Sequence, residues 1–300
     1  MADEPIRITV TDDEAGTRLD QLLAQPLGSR SHAQRLIESG RVSVDGAVRA
    51  KRHLVAAGEK IKVDPGPDAD DVKEEADAPF AVAYEDEYLI VVDKPAGVVV
   101  HPARGHRAGT LSQALAGTAA GGDEPGRAGI VHRLDRDTSG LLVVARSDDV
   151  HRRLTSLLAS RKIRREYLAL VDGHPQSRSG TIDAPIGRDR RDRLSMSIDT
   201  DAPRAARTHF EVEELLPAAT LLRVTLETGR THQIRVHLAA IGLRVAGDPQ
   251  YGLPGRYGLQ RQFLHAARLE FEHPVTGDRV DVRSELPEDL RAALELARRE

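Results

Sequence analysis

The chain has 300 residues, of which 40% are hydrophobic and 30% charged, with a formal net charge of −4 and no cysteine. It is long enough for a sizeable core and two domains. The acidic start Met1–Pro5 lacks the apolar stretch of a secretory signal, no apolar run is long enough to cross a membrane, and without thiols there is no disulfide, thiolate metal site or cysteine nucleophile. Together these features point to the cytoplasm.

The net charge carries no hint of nucleic acid, but the distribution of charge does. Basic residues gather in Arg30 to Arg52, Arg152 to Arg165 and Arg188 to Arg193, and acids in Asp64 to Glu87. Local basic surface decides phosphate binding more than the chain total, although any one such cluster can be a solvated face.

In chain order, residues 5–10 alternate polar and apolar, which predicts a strand. Residues 16–24 predict a short helix carrying Leu19, Leu22 and Leu23 on one face. A second helix is expected from Ser31, a good N-cap, to Gly40, a good stop, with Arg30 and Arg35 on or near its exposed side. Arg41 to Gly46 alternates and ends in Asp45-Gly46, a hairpin signal. The return segment carries Arg49, Lys51 and Arg52. This unit is similar to the alpha-L RNA-binding module over about Thr17 to Val63, on the markers Arg18-Leu-Asp20, Ser29-Arg-Ser31, Gly40-Arg-Val42, Val44-Asp-Gly46 and Gly58-Glu59. The resemblance implies RNA contacts from Arg30, Arg35, Lys51 and Arg52. Residues 64–79 have almost no apolar content and predict an acidic, Pro-containing linker.

Beyond it, two apolar strands are expected to flank the turn Lys94-Pro-Ala-Gly97. A small-residue helix is expected at 110–119, a flexible polar loop at 121–129, and a core-facing helix at 147–158. Between the last two, the dense polar loop His132 to Gly140 runs into Leu141–Ala145, an apolar run suited to a buried strand. Arg161 to Val171 is a basic patch entering a strand, and 185–200 predicts a mobile basic loop. A strand at 221–226 leads to a helix from Thr231, with Ile234, Leu238 and Ile241 toward the core and Arg235 one position off that face. Two late strands and a terminal amphipathic helix from Pro287 complete the chain.

Four separated stretches resemble the RluA/RluD kind of RNA pseudouridine synthase. They are Asp93-Lys-Pro-Ala-Gly with His101-Pro102; His132-Arg-Leu-Asp-Arg-Asp-Thr-Ser-Gly140; Arg165-Glu-Tyr-Leu-Ala-Leu-Val171; and Thr228-Gly-Arg-Thr-His-Gln-Ile-Arg-Val-His237 with Gly247-Asp248 and Tyr251. The second is the most specific. The resemblance implies an α+β protein, with a mixed, mostly antiparallel catalytic sheet around a central cleft. The domains expected are an RNA-binding module at 1–63, the linker at 64–79 and a catalytic domain at 80–300. It implies Asp135 as the catalytic carboxylate, Tyr167 stacked on the uracil, Arg235 paired with Asp135, and His132 and Arg133 near the substrate. Uridines of large-subunit ribosomal RNA are the expected substrate, with no cofactor or metal, no membrane, and a monomeric enzyme.

By the residues alone, Asp135 and Asp137 are equivalent turn aspartates, and Tyr167 reads as a core residue. His132, His232 and His237 raise a metal site, but the spacing of five between the last two is not that of two-histidine zinc helices. Competing readings are a non-catalytic RNA-binding or ribosome assembly factor, a synthase acting on transfer RNA, and a hydrolase pairing Asp135 with a histidine.

Overall fold

The computed structural model describes residues 5–27, 33–34, 36–37, 39–64, 78–102, 108–122, 129–192 and 194–300. The chain divides into two compact units, Met1–Glu74 and Glu75–Glu300.

In the first unit, β1 (Ile6–Thr9), β2 (Val42–Val44), β3 (Ala47–Val48) and β4 (Lys60–Val63) form an antiparallel sheet of order β1-β4-β2-β3. Alternation in β4 sends Ile61 and Val63 into the core and both lysines outward. The β2–β3 hairpin needs positive φ at both central residues, and Asp45 (48°) and Gly46 (81°) supply it. Helix α1 is only Leu19–Leu22, shorter than predicted. One turn is not stable alone. It is tied down by the fully buried Asp20, which accepts hydrogen bonds from Arg18 at 2.9 and 3.0 Å and from Gln34 at 2.6 Å. Ala33, Gln34, Leu36 and Ile37 are helical as expected, whereas Arg30, Ser31 and Arg35 lie outside the described residues. Lys51 is half-buried and Arg52 exposed. Most of the acidic stretch 64–79 also lies outside the described residues.

The second unit is built on a nine-stranded sheet. Its strands are β5 (Ala81–Glu85), β6 (Leu89–Lys94), β7 (Ser139–Ala145), β8 (Arg164–Asp172), β9 (Ser179–Asp183), β12 (Arg207–Leu215), β13 (Ala219–Leu226), β14 (Leu264–Glu272) and β15 (Arg279–Arg283). The order is β5-β6-β7-β14-β8-β13-β12-β9, with β15 also on β14. All pairs are antiparallel except β7 with β14, which gives the mixed, mostly antiparallel sheet of an α+β fold. Both faces are covered. Leu141 and Val143 pack with Val150 and Leu154 of α3 (Asp148–Ala159), and Leu142 and Val144 join a cluster with Leu290 and Leu294 of α5 (Glu288–Ala297). Burial on both faces is why 141–145 reads as an unbroken apolar run rather than an alternation.

Several expectations are corrected. Val98–Val100 is not a strand: Pro95 and Gly97 (φ 88°) turn the chain away, and only Val99 makes a bridge, to Thr110. The helix at 110–119 shrinks to α2 (Leu111–Ala114), closed off near Gly117 (φ 89°). Within 185–200 the basic loop contains a hairpin, β10 (Gly187–Arg188) with β11 (Met196–Ser197). Helix α4 is Gln233–Ala240, starting late because His232 is left-handed (φ 56°), and Ile241 is 45% exposed instead of facing the core. Strands β5, β9 and β12 lie outside the elements expected from the sequence. The loop at 121–129 lies mostly outside the described residues.

Candidate active site

The polar loop before β7 is held from below by main-chain acceptors. Lys94, fully buried at the end of β6, donates from Nζ to the carbonyls of Pro95 (2.8 Å), Val98 (3.0 Å) and Arg136 (2.9 Å). The Gly97 amide also donates to the Arg136 carbonyl, at 2.9 Å. From the other side, Arg261 donates to the Asp137 carbonyl at 3.1 Å while gripping Asp289 at 2.7 and 2.9 Å, and Gln262 donates to the Thr138 hydroxyl. Gly140 (φ 110°) lets β7 run against β14: a Cβ there would lie 2.3 Å from the Ala266 carbonyl oxygen. The loop is thus fixed at each residue from Arg136 to Gly140, which is the support a positioned carboxylate needs.

That carboxylate is Asp135. Its Oδ2 accepts from Arg235 Nη1 at 3.2 Å. Arg235 is itself fixed, donating from Nε and Nη2 to the two oxygens of Asp248 at 2.7 and 2.8 Å. The three side chains are 17%, 6% and 0% exposed in the order Asp135, Arg235, Asp248. Burial opposes the charge on Arg235, but Asp248 and then Asp135 outweigh it and hold the guanidinium firmly protonated. Burial likewise pushes Asp248 up, and Arg235 more than offsets it, keeping that carboxyl below its usual range. The Gln250 and Tyr251 amides add hydrogen bonds to Asp248 Oδ1. The Tyr251 ring lies 5.0 Å from the Arg235 guanidinium carbon.

The cleft around Asp135 is lined also by Arg133, Arg165, Tyr167 and His232. Tyr167 sits on β8 opposite Val224 and Ala266, only 4% exposed, so it is both core residue and cleft wall. Its hydroxyl is pushed up by burial, with Arg165 opposing and Asp135 adding to the shift. Asp137 is turned elsewhere, into a pair with Arg136 at 3.0 Å. The structure therefore separates the two aspartates that the residues alone left equivalent.

The histidines are dispersed. His132 accepts from the Val143 amide through Nε2 at 3.2 Å and lines an adjoining cleft. Burial, then the charge of Arg165, pushes it down to about 3, so it is neutral in the physiological range. His237 is spent between the Thr208 hydroxyl and the Ala184 carbonyl. His232, also pushed down chiefly by burial, bonds the Tyr251 hydroxyl through Nδ1 at 2.9 Å. Among the described residues no group of three His, Cys, Asp or Glu side chains is placed to hold a metal.

The sequence by itself gives Lys94, Asp248 and Arg261 no role. Lys94 and Asp248 stood inside motifs, which was the available signal. Burial pushes Lys94 down to about 7, against the charges of Asp137 and Asp135. The free-chain value is 10.5. Between about pH 7 and 10.5 the unfolded chain holds a proton that the folded one has released, so this group's contribution to stability rises with pH across that window. Lys94→Met should therefore lose more stability relative to the native chain at pH 9 than at pH 6.5. Thermal melts at both values check it, and a pH-independent difference would contradict it.

With the fold and this geometry in hand, the chain is seen to be an enzyme of the RNA pseudouridine synthase class. Residues 88–240 match the family model for RNA pseudouridylate synthase, and the chain belongs to that family. Residues 17–61 match the S4 domain. More particularly, the chain is 46% identical to a protein of Nitrosomonas europaea named ribosomal large subunit pseudouridine synthase D, over 98% of this chain and 88% of that one. Its Pseudomonas aeruginosa namesake is 44% identical, over 95% and 93%. Among solved structures, human RNA pseudouridylate synthase domain containing 1 superposes with a TM-score of 0.57 at 29% identity, covering 70% of this chain and 84% of the human one.

Proposed function

We propose that the chain converts specific uridines of large-subunit ribosomal RNA to pseudouridine, with Asp135 as the catalytic carboxylate. The observation that carries this reading is the Asp135–Arg235 contact in a cleft that Tyr167 also lines. The names of the relatives support the substrate class.

The isomerisation breaks the C1′–N1 bond, turns the uracil and joins C1′ to C5. The proton on C5 leaves and N1 gains one, so nothing is oxidised and no cofactor is required. The target base must first leave its stack, and an aromatic ring offers it a flat face. Tyr167 supplies that ring, Arg235 directs the carboxylate, and Arg133 lines the cleft toward the RNA backbone. His132 serves the neighbouring wall. Asp135 acts on the uridine at the bond-breaking step.

In this reading residues 1–63 form the RNA-binding module, with Lys51 and Arg52, and Arg30 and Arg35 outside the described residues, on phosphates. Residues 64–79 are the linker and 80–300 the catalytic domain. The enzyme acts as a monomer in the cytoplasm. Mapping pseudouridine across all ribosomal and transfer RNA, in cells with and without the protein, tests the reading. At least one large-subunit position should vanish and return with the gene. Loss confined to transfer RNA, or no loss, would sink the substrate assignment.

A further inference from the structure

A second cleft, of about 560 Å³, adjoins the one around Asp135. Arg133, Arg165 and Arg230 line both clefts, so they stand on the ridge between them. Ile130, Leu158 and Ala159 form an apolar wall of the second cleft.

The ridge arginines differ from their neighbours. Arg161 and Arg164 are paired, each at 2.6 Å, with Glu227 and Glu166. No carboxylate among the described residues lies within ion-pair distance of Arg133, Arg165 or Arg230. Arg165 is the telling case. It is 93% buried by its 7% exposure, its Nε has no hydrogen-bond partner, and Nη2 reaches the Leu226 carbonyl only at 3.4 Å. The buried Nδ1 of His132, on the same cleft, is also without a partner. Burying an uncompensated cation such as Arg165 is costly, and with the exposed Arg133 and Arg230 beside it the ridge is suited to an incoming anion.

We infer that this ridge receives the phosphodiester joining the target uridine to its neighbour, and that the second cleft receives the neighbour's base. The inference rests on the synthase reading above. An anion flanked by two clefts, one holding the reactive carboxylate and the other an apolar wall, matches two consecutive nucleotides of a single strand. The apolar wall offers a base a face to pack on, and the arginines offer charge and stacking without a hydrogen-bond code. Part of the substrate choice is thus made by the nucleotide beside the uridine.

The test uses the full chain and large-subunit ribosomal RNA transcribed in vitro. Ala159 and Ser156 are both exposed positions of α3, but only Ala159 lines the second cleft. Ala159→Glu brings a negative charge to the proposed base site and its phosphate. It should raise KM about tenfold and leave kcat at saturating RNA little changed, because such phosphate contacts act through binding. Ser156→Glu makes the same charge change outside the cleft and should stay within about twofold of the native KM. Thermal melts of both variants should match the native chain, since both positions are exposed. Equal effects of the two substitutions, or no effect of either, would overturn the subsite. No product from the native chain would instead overturn the synthase reading itself.

Discussion

Asp135→Asn should abolish pseudouridine formation while leaving the fold intact. The expected loss is at least about 10³-fold in turnover, the range seen when a reacting side chain is removed from a unit that works together. Stability should change little, for a geometric reason. Arg235 keeps its two hydrogen bonds to Asp248 whether or not residue 135 is charged. The asparagine oxygen can still accept from Nη1, so no buried charge is stranded. The net effect on folding should be within about 1 kcal/mol, that of one ordinary hydrogen bond. Product assay on ribosomal RNA, a melting curve and an RNA-binding isotherm decide it together. Retained turnover would remove Asp135 from the mechanism.

Asp248→Ala should do the reverse, damaging the fold as well as the chemistry. It leaves Arg235, only 6% exposed, with the partly exposed Asp135 as its remaining carboxylate. Breaking a buried pair in this way costs about 3–5 kcal/mol, on the order of 10 °C in melting temperature for a domain of this size. Arg235 loses the two bonds that set its direction, so Asp135 loses its guide. Turnover should fall while KM for RNA moves little, because Asp248 is not among the residues lining the Asp135 cleft. Asp248→Asn keeps an oxygen to accept from the Gln250 and Tyr251 amides and should lie between the two. A variant that melts and turns over like the native chain would show that Arg235 is positioned by something else.

These two aspartates differ in how much of their surroundings is written along the chain. Both stand in motifs, and both have ordinary turn residues beside them. The continuous apolar run after Asp135 makes the dense polar loop conspicuous, but within that loop the sequence separates Asp135 from Asp137 only by the family resemblance. Asp248 lies thirteen residues past Arg235, across the end of α4 and a loop, and no periodicity connects them. Lys94 is a similar case. It reads as a charged residue at a turn, the usual place for a solvated lysine. Only the folded chain brings the Pro95, Val98 and Arg136 carbonyls around its ammonium group.

The larger fold follows the same division. Helix α3 was legible over nearly its whole length, because Ser147 caps it and Val150 and Leu154 repeat at core spacing. The terminal helix was legible for the same reason, with Leu290, Ala293, Leu294 and Ala297 buried. The Asp45-Gly46 hairpin followed from backbone chemistry alone. The segments misread were those whose conformation is decided by distant partners. Val98–Val100 has the composition of a strand but no neighbour to pair along its length. Ile241 continues the apolar spacing of α4 past the point where the helix has left the core.

What the sequence determined by itself was local and covalent: which stretches are apolar, where turns are forced, and which motif residues travel together along the chain. Which aspartate meets Arg235 was open to the residues and answered by the family resemblance, whereas the tertiary structure alone decided that Asp248 stands behind Arg235 and that three arginines face a cleft without carboxylate partners among the described residues. The reason is physical. Propensity and periodicity act over a few residues, whereas the direction of Asp135 depends on Arg235, a hundred positions away along the chain and beside it only in the folded protein.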